Sequence, residues 1–398
     1  MFDYNFSDRM SALQPSAIRE ILKATAGKDV IAFSAGNPSP ASFPAAAMAE
    51  IAAEIFRDNY AGALQYGITE GLPSLREQTF ERLKAKFSIG REFDRLIITS
   101  GGQQAIELAT KVLVNEGDTV ICEDPSFIGA LNAIRSYRPN LVGVPMDDEG
   151  IDVARVEEIL KSDKRVRLIY VIPTFQNPSG GVMSLARRKA LLELAERYNV
   201  MILEDNPYYE LRFAGEHVPT IKSMDEKGRV IYAGSYSKII SPGMRIGFCV
   251  APEEIINKMV VAKQVSDVHT NQFFMMLVSE YLARYDLDAH IKGICDLYGK
   301  KCDLMYSELL KHNKGYFAVK KPEGGLFMWL TMPKGNGAEL AKLCASRGVA
   351  VVPGSAFLAD ESKVSPCIRL NYSLPSDEDI VRGIKILCET AAEYLADK

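Results

Sequence analysis

The chain has little histidine and tryptophan, four and one in 398 residues, and no CxxC pair. Its seven cysteines (Cys122, Cys249, Cys295, Cys302, Cys344, Cys367 and Cys388) are odd in number, scattered, and without zinc-ligand spacing. This excludes a disulfide framework and a Cys/His metal centre. Free thiols predict a reducing compartment. No run of five or more like charges occurs, and 47 basic against 51 acidic residues give a net charge of −4. Bulk nucleic-acid binding, which depends on neutralising phosphates, is excluded on that balance. No apolar run approaches the ~20 residues of a membrane span. The opening MFDYNFSDRM has neither the basic nor the apolar segment of a secretory signal. Internal repeats and low-complexity linkers are missing too. The expectation is a cytoplasmic, soluble protein with a small-molecule pocket and neither a nucleic-acid nor a membrane partner.

What is present is ordinary globular material, 47% hydrophobic and 25% charged, long enough to bury a large core. Short apolar runs rich in β-branched residues mark strands at Leu96–Thr99, Thr119–Cys122, Leu168–Ile172, Met201–Leu203, Val230–Ala233 and Ile246–Val250. Apolar residues on consecutive positions are the pattern of strands buried on both faces of a parallel sheet. Helix-period stretches lie between them: Gln103–Val114 aligns Ile106, Ala109 and Leu113, and Leu185–Tyr198 aligns Leu191, Leu194, Ala195 and Tyr198. This alternation predicts an α/β fold with a mostly parallel sheet. The ends read differently. A short helix is expected at Ser16–Ala24. Beyond residue 285 come a long helix through Met305–Leu310 and strands near Phe317–Val319, Leu326–Trp329, Val349–Val352 and Ile368–Tyr372. Three segments follow: an arm (1–45) that contributes to a small domain, a large domain (46–285), and the rest of a smaller α+β domain (286–398).

Four motifs carry chemistry. In Thr99-Ser100-Gly101-Gly102-Gln103-Gln104 a strand runs through two glycines into a helix. The free N–H groups of a helix start can cradle a phosphate; a plain strand-to-helix turn has the same pattern. No GK[ST] P-loop exists, and no G-x-G-x-x-G follows a strand. In Gly234-Ser235-Tyr236-Ser237-Lys238, followed by Ser241-Pro242-Gly243-Met244-Arg245-Ile246-Gly247, two hydroxyls and a guanidinium suit a phosphate dianion. A desolvated Lys238 near another cation becomes a usable amine nucleophile for a Schiff base; most lysines simply lie on the surface. Asp205, just past Met201-Ile202-Leu203, could cap a turn or pair with a protonated ring nitrogen. Asn177-Pro178-Ser179-Gly180-Gly181 is, as local structure, only a turn.

Taken in order, GGQQA, NPSGG, EDNPY, SYSK and PGMRIG resemble the fold-type I pyridoxal 5'-phosphate (PLP) aminotransferases. Asp205 lies 28 residues after Asn177, and Lys238 lies 33 after Asp205, spacings similar to that family's. PSAIREIL, SAGNPSP, LQYGITEGLPSLRE and SDVHTN look like the 2-aminoadipate and kynurenine aminotransferase branch. The likeness spans residues 16 to 375. It implies the PLP-dependent transferase fold type I, a seven-stranded, mostly parallel sheet flanked by helices plus a smaller α+β domain. It also implies roles. Lys238 would hold the cofactor and later shuttle a proton. Asp205 would pair with the ring nitrogen, and Asn177 and Tyr208 with the phenolic oxygen. Phe127 would stack on the ring. Gly102, Gln103, Ser235, Ser237 and Arg245 would bind its phosphate. Tyr66 would reach the phosphate in the neighbouring subunit, which requires a homodimer. Arg369 would grip the substrate α-carboxylate with help from Gly36 and Asn177, and Arg19 would meet a distal carboxylate. Gly102 stands where relatives often carry Ser, and Phe127 where Tyr is common, so one hydroxyl and one ring-edge hydrogen bond are missing.

The physical logic agrees with those roles. Removing a Cα proton needs an electron sink, and a buried carboxylate keeps a pyridine protonated to serve as one. A freed Lys238 amine beside Cα can act as general base. The expected activity is ping-pong transfer of an amino group between an L-amino acid (2-aminoadipate-like, aromatic or branched) and a 2-oxo acid, 2-oxoglutarate as the usual acceptor. A PLP-dependent β-lyase is the alternative, because this fold hosts several chemistries. A non-catalytic PLP-sensing regulator would need a winged-helix domain ahead of a pattern that already begins by residue 16.

Overall fold

The computed structural model describes residues 4–11, 13 and 30–398. The helix expected at Ser16–Ala24, and Arg19 within it, lie outside these residues. In chain order the strands are β1 (Ile31–Ala32), β2 (Asp94–Thr99), β3 (Thr119–Asp124), β4 (Asn140–Asp147), β5 (Gly150–Ile151), β6 (Val166–Val171), β7 (Met201–Asp205), β8 (Val230–Ser235), β9 (Gly247–Pro252), β10 (Ala318–Val319), β11 (Phe327–Thr331), β12 (Val349–Ala350), β13 (Val352–Pro353) and β14 (Cys367–Asn371). The central sheet runs β2-β9-β8-β7-β6-β3-β4-β5. β8, β7, β6, β3 and β4 are mutually parallel. β9 opposes both its neighbours. Seven strands are those expected from the family likeness. The eighth, β5, is a two-residue hairpin partner of β4 at the edge, too short to leave a periodic signal.

Alternation within each strand feeds two layers of helix. Leu168 and Tyr170 of β6 join a core with helices Gly102–Leu113, Ile128–Arg135 and Glu253–Gln264. Ile169 and Val171 join the opposite core with helices Val153–Ser162 and Leu185–Tyr198. Burial on both faces is why the central strands read as unbroken apolar runs. β4 left no such run because it lies near the edge and only Val144 in it is buried.

A second sheet, β10-β11-β14-β13, is antiparallel throughout. The single strand expected at Val349–Val352 divides in two. β12 pairs parallel with β1, placing Ile31 opposite Val349, while β13 pairs with β14. The helix expected through Met305–Leu310 runs from Leu287 to His312, 26 residues or about 39 Å. The central sheet's C-terminal strand ends converge: Thr99, Asp124, Val171, Asp205 and Ser235 each open a loop on that side. Ligands of open α/β sheets bind in the crevice outside those ends.

Candidate active site

That crevice holds a cavity of about 310 Å³. Gly36, Gly102, Gln103, Phe127, Asn177, Asp205, Tyr208, Ser235, Ser237, Lys238, Arg245 and Arg369 all line it. Tyr66 does not. It is 81% exposed and lies edge-on to His269 in a separate depression with Gln272 and Phe273.

Lys238 is placed by the turn after β8. The Ser235 hydroxyl accepts the Ser237 N–H (3.1 Å), and the Tyr236 N–H returns to the Ile246 carbonyl (3.1 Å). The lysine Nζ donates to the Gly36 carbonyl (2.9 Å). Burial, then the positive charges of Arg369 and Arg245, push its amine down to about 8, towards the neutral form.

Asp205 ends β7 and is 4% exposed. Burial pushes its carboxyl up to about 7, against the stabilising hydrogen bond of Tyr170. The Tyr170 hydroxyl donates to Oδ2 at 2.7 Å. Tyr170 is a functional contact that sequence reading missed. In LIYVIP it is indistinguishable from a core strand residue, and only the three-dimensional neighbourhood of β6 and β7 reveals it.

Arg369 sits mid-strand in β14, opposite Trp329 of β11 and Val352 of β13. Its Nη1 donates to Asn177 Oδ1 (2.9 Å) and its Nη2 to the Ser34 carbonyl (3.0 Å). Its Nε has no hydrogen-bond partner among the described residues. The guanidinium carbon lies 4.1 Å from the Phe327 ring centre and 5.0 Å from that of Phe357, contacts of cation–π type. Burial draws this arginine down to about 10. It makes no ion pair among the described residues. A buried cation held only by neutral groups is a site for an anion. Asn177 and Tyr208 line the same cavity beside Arg369.

At the other end, Gly101 adopts φ +78° and a Cβ there would lie 2.3 Å from the Arg245 guanidinium. Arg245 Nη2 in turn donates to the Ser100 carbonyl (3.2 Å). β9 presses Gly247 onto this turn so closely that a Cβ would sit 2.6 Å from the Gly101 carbonyl carbon. Gly102 and Gln103, at the start of helix Gly102–Leu113, line the cavity there. Behind them Asp267 accepts from the Ser100 hydroxyl and the Gln104 amide, each at 2.8 Å, and pairs with Lys263. Phe127 stands at the start of helix Ile128–Arg135.

The family described as "Aminotransferase class I and II" matches residues 28–387. An aromatic-amino-acid aminotransferase of Thermococcus litoralis is 41% identical over 99% of this chain and 95% of its own length. The chain belongs to the class I and II aminotransferases. A kynurenine aminotransferase structure from Pyrococcus horikoshii superposes with a TM-score of 0.94 at 40% identity, covering 98% of this chain and 97% of the other. The α-aminoadipate aminotransferase LysN from Thermus thermophilus, complexed with N-(5'-phosphopyridoxyl)-L-leucine, gives 0.90 at 35% identity over 99% and 98%. This aminotransferase is an enzyme whose cofactor is pyridoxal 5'-phosphate. The cavity fits that group in its own chemistry. Lys238, Arg245 and Arg369 are cationic, and Asp205 is the one carboxylate among the lining residues. Among the described residues no cluster of three potential metal ligands occurs, and no helix is long and apolar enough to cross a membrane.

Proposed function

We propose that this aminotransferase moves an amino group between an aromatic, branched or 2-aminoadipate-type L-amino acid and a 2-oxo acid, with 2-oxoglutarate as acceptor. One observation carries the reading: the Arg369 guanidinium, buried without a carboxylate partner among the described residues, opens onto the cavity that also holds Lys238. The named activities of the relatives support the side-chain classes.

Pyridoxal phosphate supplies the electron sink that makes a Cα proton removable. The chain's residues do the rest. Gly102, Gln103, Ser235, Ser237 and Arg245 would hold the phosphate. Asp205 would pair with the ring nitrogen and keep it protonated, while Asn177 and Tyr208 would serve the phenolic oxygen. Phe127 would stack on the ring. Arg369, steadied by Asn177, grips the α-carboxylate with two parallel hydrogen bonds, and the Gly36 segment closes beside it. That grip orients the Cα–H bond. Lys238 Nζ accepts the proton and delivers it back, a task suited to an amine near 8. Both half-reactions use one cavity, which implies ping-pong kinetics.

The working unit is a homodimer, with Tyr66 entering the partner's cavity. Its 81% exposure, beside exposed Leu64 and Ile68, supports this. In this reading 46–285 is the large domain and 286–398 the small one, with the 1–45 segment as an arm that contributes to it; the pairing of β1 with β12 supports that contribution. Seven free cysteines fit a cytoplasmic site.

A donor–acceptor activity matrix tests the reading. Transfer to 2-oxoglutarate is expected from phenylalanine, leucine and 2-aminoadipate. R19A should lose about tenfold with 2-aminoadipate, the scale of one charge-assisted hydrogen bond, and little with leucine. Equal losses remove the distal-carboxylate role of Arg19. Ammonia and pyruvate released from a cysteine conjugate without any 2-oxo acid would replace transfer by elimination.

A further inference from the structure

The turns that bear Phe127 and Asn177 reach the cavity from neighbouring strands, β3 and β6, and one side chain joins them. Gln176 Nε2 donates to the Pro125 carbonyl (2.9 Å) and to Glu123 Oε2 (3.2 Å). Gln176 Oε1 accepts the Ser179 N–H (2.9 Å). Glu123 Oε2 also accepts the Ile172 N–H (3.0 Å). The Gln176 N–H donates to the Gly181 carbonyl (2.9 Å), and its own carbonyl accepts from Gly180 (2.6 Å). Glu123 and Gln176 are 1% and 3% exposed. The amide works in one orientation only. Reversed, its oxygen would oppose the Pro125 carbonyl and its NH2 would oppose the Ser179 N–H, leaving buried groups unsatisfied.

Next in sequence is Asn177, the acceptor of Arg369 Nη1. Any slip of the 172–181 turn moves that acceptor, and Arg369 with it. Glu123 and Gln176 are also wall. They line a second cleft of about 700 Å³, and Ile172 lines both that cleft and the catalytic cavity.

We propose that Gln176, anchored by Glu123, is a positioning residue: it sets the spacing between the Phe127 and Asn177 turns, and through Asn177 the Arg369 grip on the substrate carboxylate. The proposal rests on the reading of Arg369 as the carboxylate site and deepens it. Burial pushes the Glu123 carboxyl up to about 8, which suits an anchor whose two donors are neutral.

The test uses the holoenzyme with L-phenylalanine and 2-oxoglutarate, and the variants Q176L, E123Q and R369K. In Q176L, KM for both substrates should rise about tenfold while kcat changes by less than about threefold, as when a carboxylate contact made equally in ground and transition states is weakened. The pH midpoint of the bound cofactor's visible absorbance should shift, because Asn177 moves. In the cofactor-free protein the Ser179 amide should exchange with solvent about tenfold faster. E123Q keeps an acceptor for Ile172 and should shift the same quantities less; it also gives the reading by itself if Q176L does not fold. A lower unfolding temperature with wild-type KM and absorbance midpoint would overturn the proposal, since that is a purely structural role. R369K separates the two levels. If R369K raises KM and Q176L does not, only the positioning role fails; if R369K leaves KM unchanged, the carboxylate reading fails and takes this proposal with it.

Discussion

Burial drives Asp205 and Lys238 towards neutrality from opposite sides, and the consequences for stability differ in sign. In the cofactor-free protein Asp205 titrates near about 7, above the ~3.9 of an unfolded carboxyl. The folded chain therefore binds more protons across that window, and stability falls as pH rises through it. Lys238, near about 8, lies below the ~10.4 of an unfolded lysine. There the unfolded chain binds more protons, so stability rises with pH through that window. D205N removes the first slope. Its unfolding free energy from urea titration, relative to wild type, should climb from pH 4 to 7, by at most about 1.4 kcal/mol per pH unit, and level off above. Y170F removes the one donor that opposes the rise at Asp205 and should stretch the window upward. Curves that stay parallel from pH 4 to 8 would mean that Asp205 is not shifted. At this scale the sequence was partly legible. Lys238 stood out through its hydroxyl and arginine neighbours, and Asp205 through its place after an apolar strand. Tyr170, Gln176 and the Ser34 carbonyl act through contacts between distant segments, which no local pattern encodes.

Elements show the same division. β7 was readable because all five of its residues are buried, and a doubly covered strand has no polar alternation to confuse it. β4 and β5 were not, because an edge strand is half exposed and a two-residue strand has no period. The break between β12 and β13 depends on two different partner strands, information absent from Val349–Val352 itself. The junction of β9 with the start of helix Gly102–Leu113 offers a sharp test. G247A places a methyl 2.6 Å from the Gly101 carbonyl carbon and 2.8 Å from the Gly102 nitrogen. Backbone cannot rotate aside as a side chain can. G247A should therefore lose about 1–3 kcal/mol of stability, as overpacking does, and weaken cofactor binding because the anion-facing N–H groups move. G293A is the contrast. Gly293 lies within helix Leu287–His312, where an added methyl meets no neighbouring group within 4 Å, and alanine there should stabilise by about 0.5–1 kcal/mol. Equal effects in the two variants would show that the close approach of β9 to this turn is not needed.

At the scale of the whole molecule, the role proposed for Tyr66 sets how many chains build one site. It lies in a different depression from the cavity of its own chain, against His269, so a role in catalysis requires a second copy. Isologous dimers have the property needed to test this: each cavity would take Lys238 from one chain and Tyr66 from the other. K238A homodimers should be inactive and Y66A homodimers weakened. In a K238A/Y66A hybrid, the cavity of the Y66A chain keeps its own Lys238 and receives Tyr66 from the K238A chain. Its second cavity has neither. Random reassortment of equal amounts makes about half the dimers hybrid, so about a quarter of all Lys238-bearing and Lys238-lacking cavities together should regain full activity. If Tyr66 served the cavity of its own chain instead, no hybrid cavity would carry both groups. Mixing would then give only the average of the two parents, and activity after reassortment separates these outcomes without any assumption about which amino acid is the best donor.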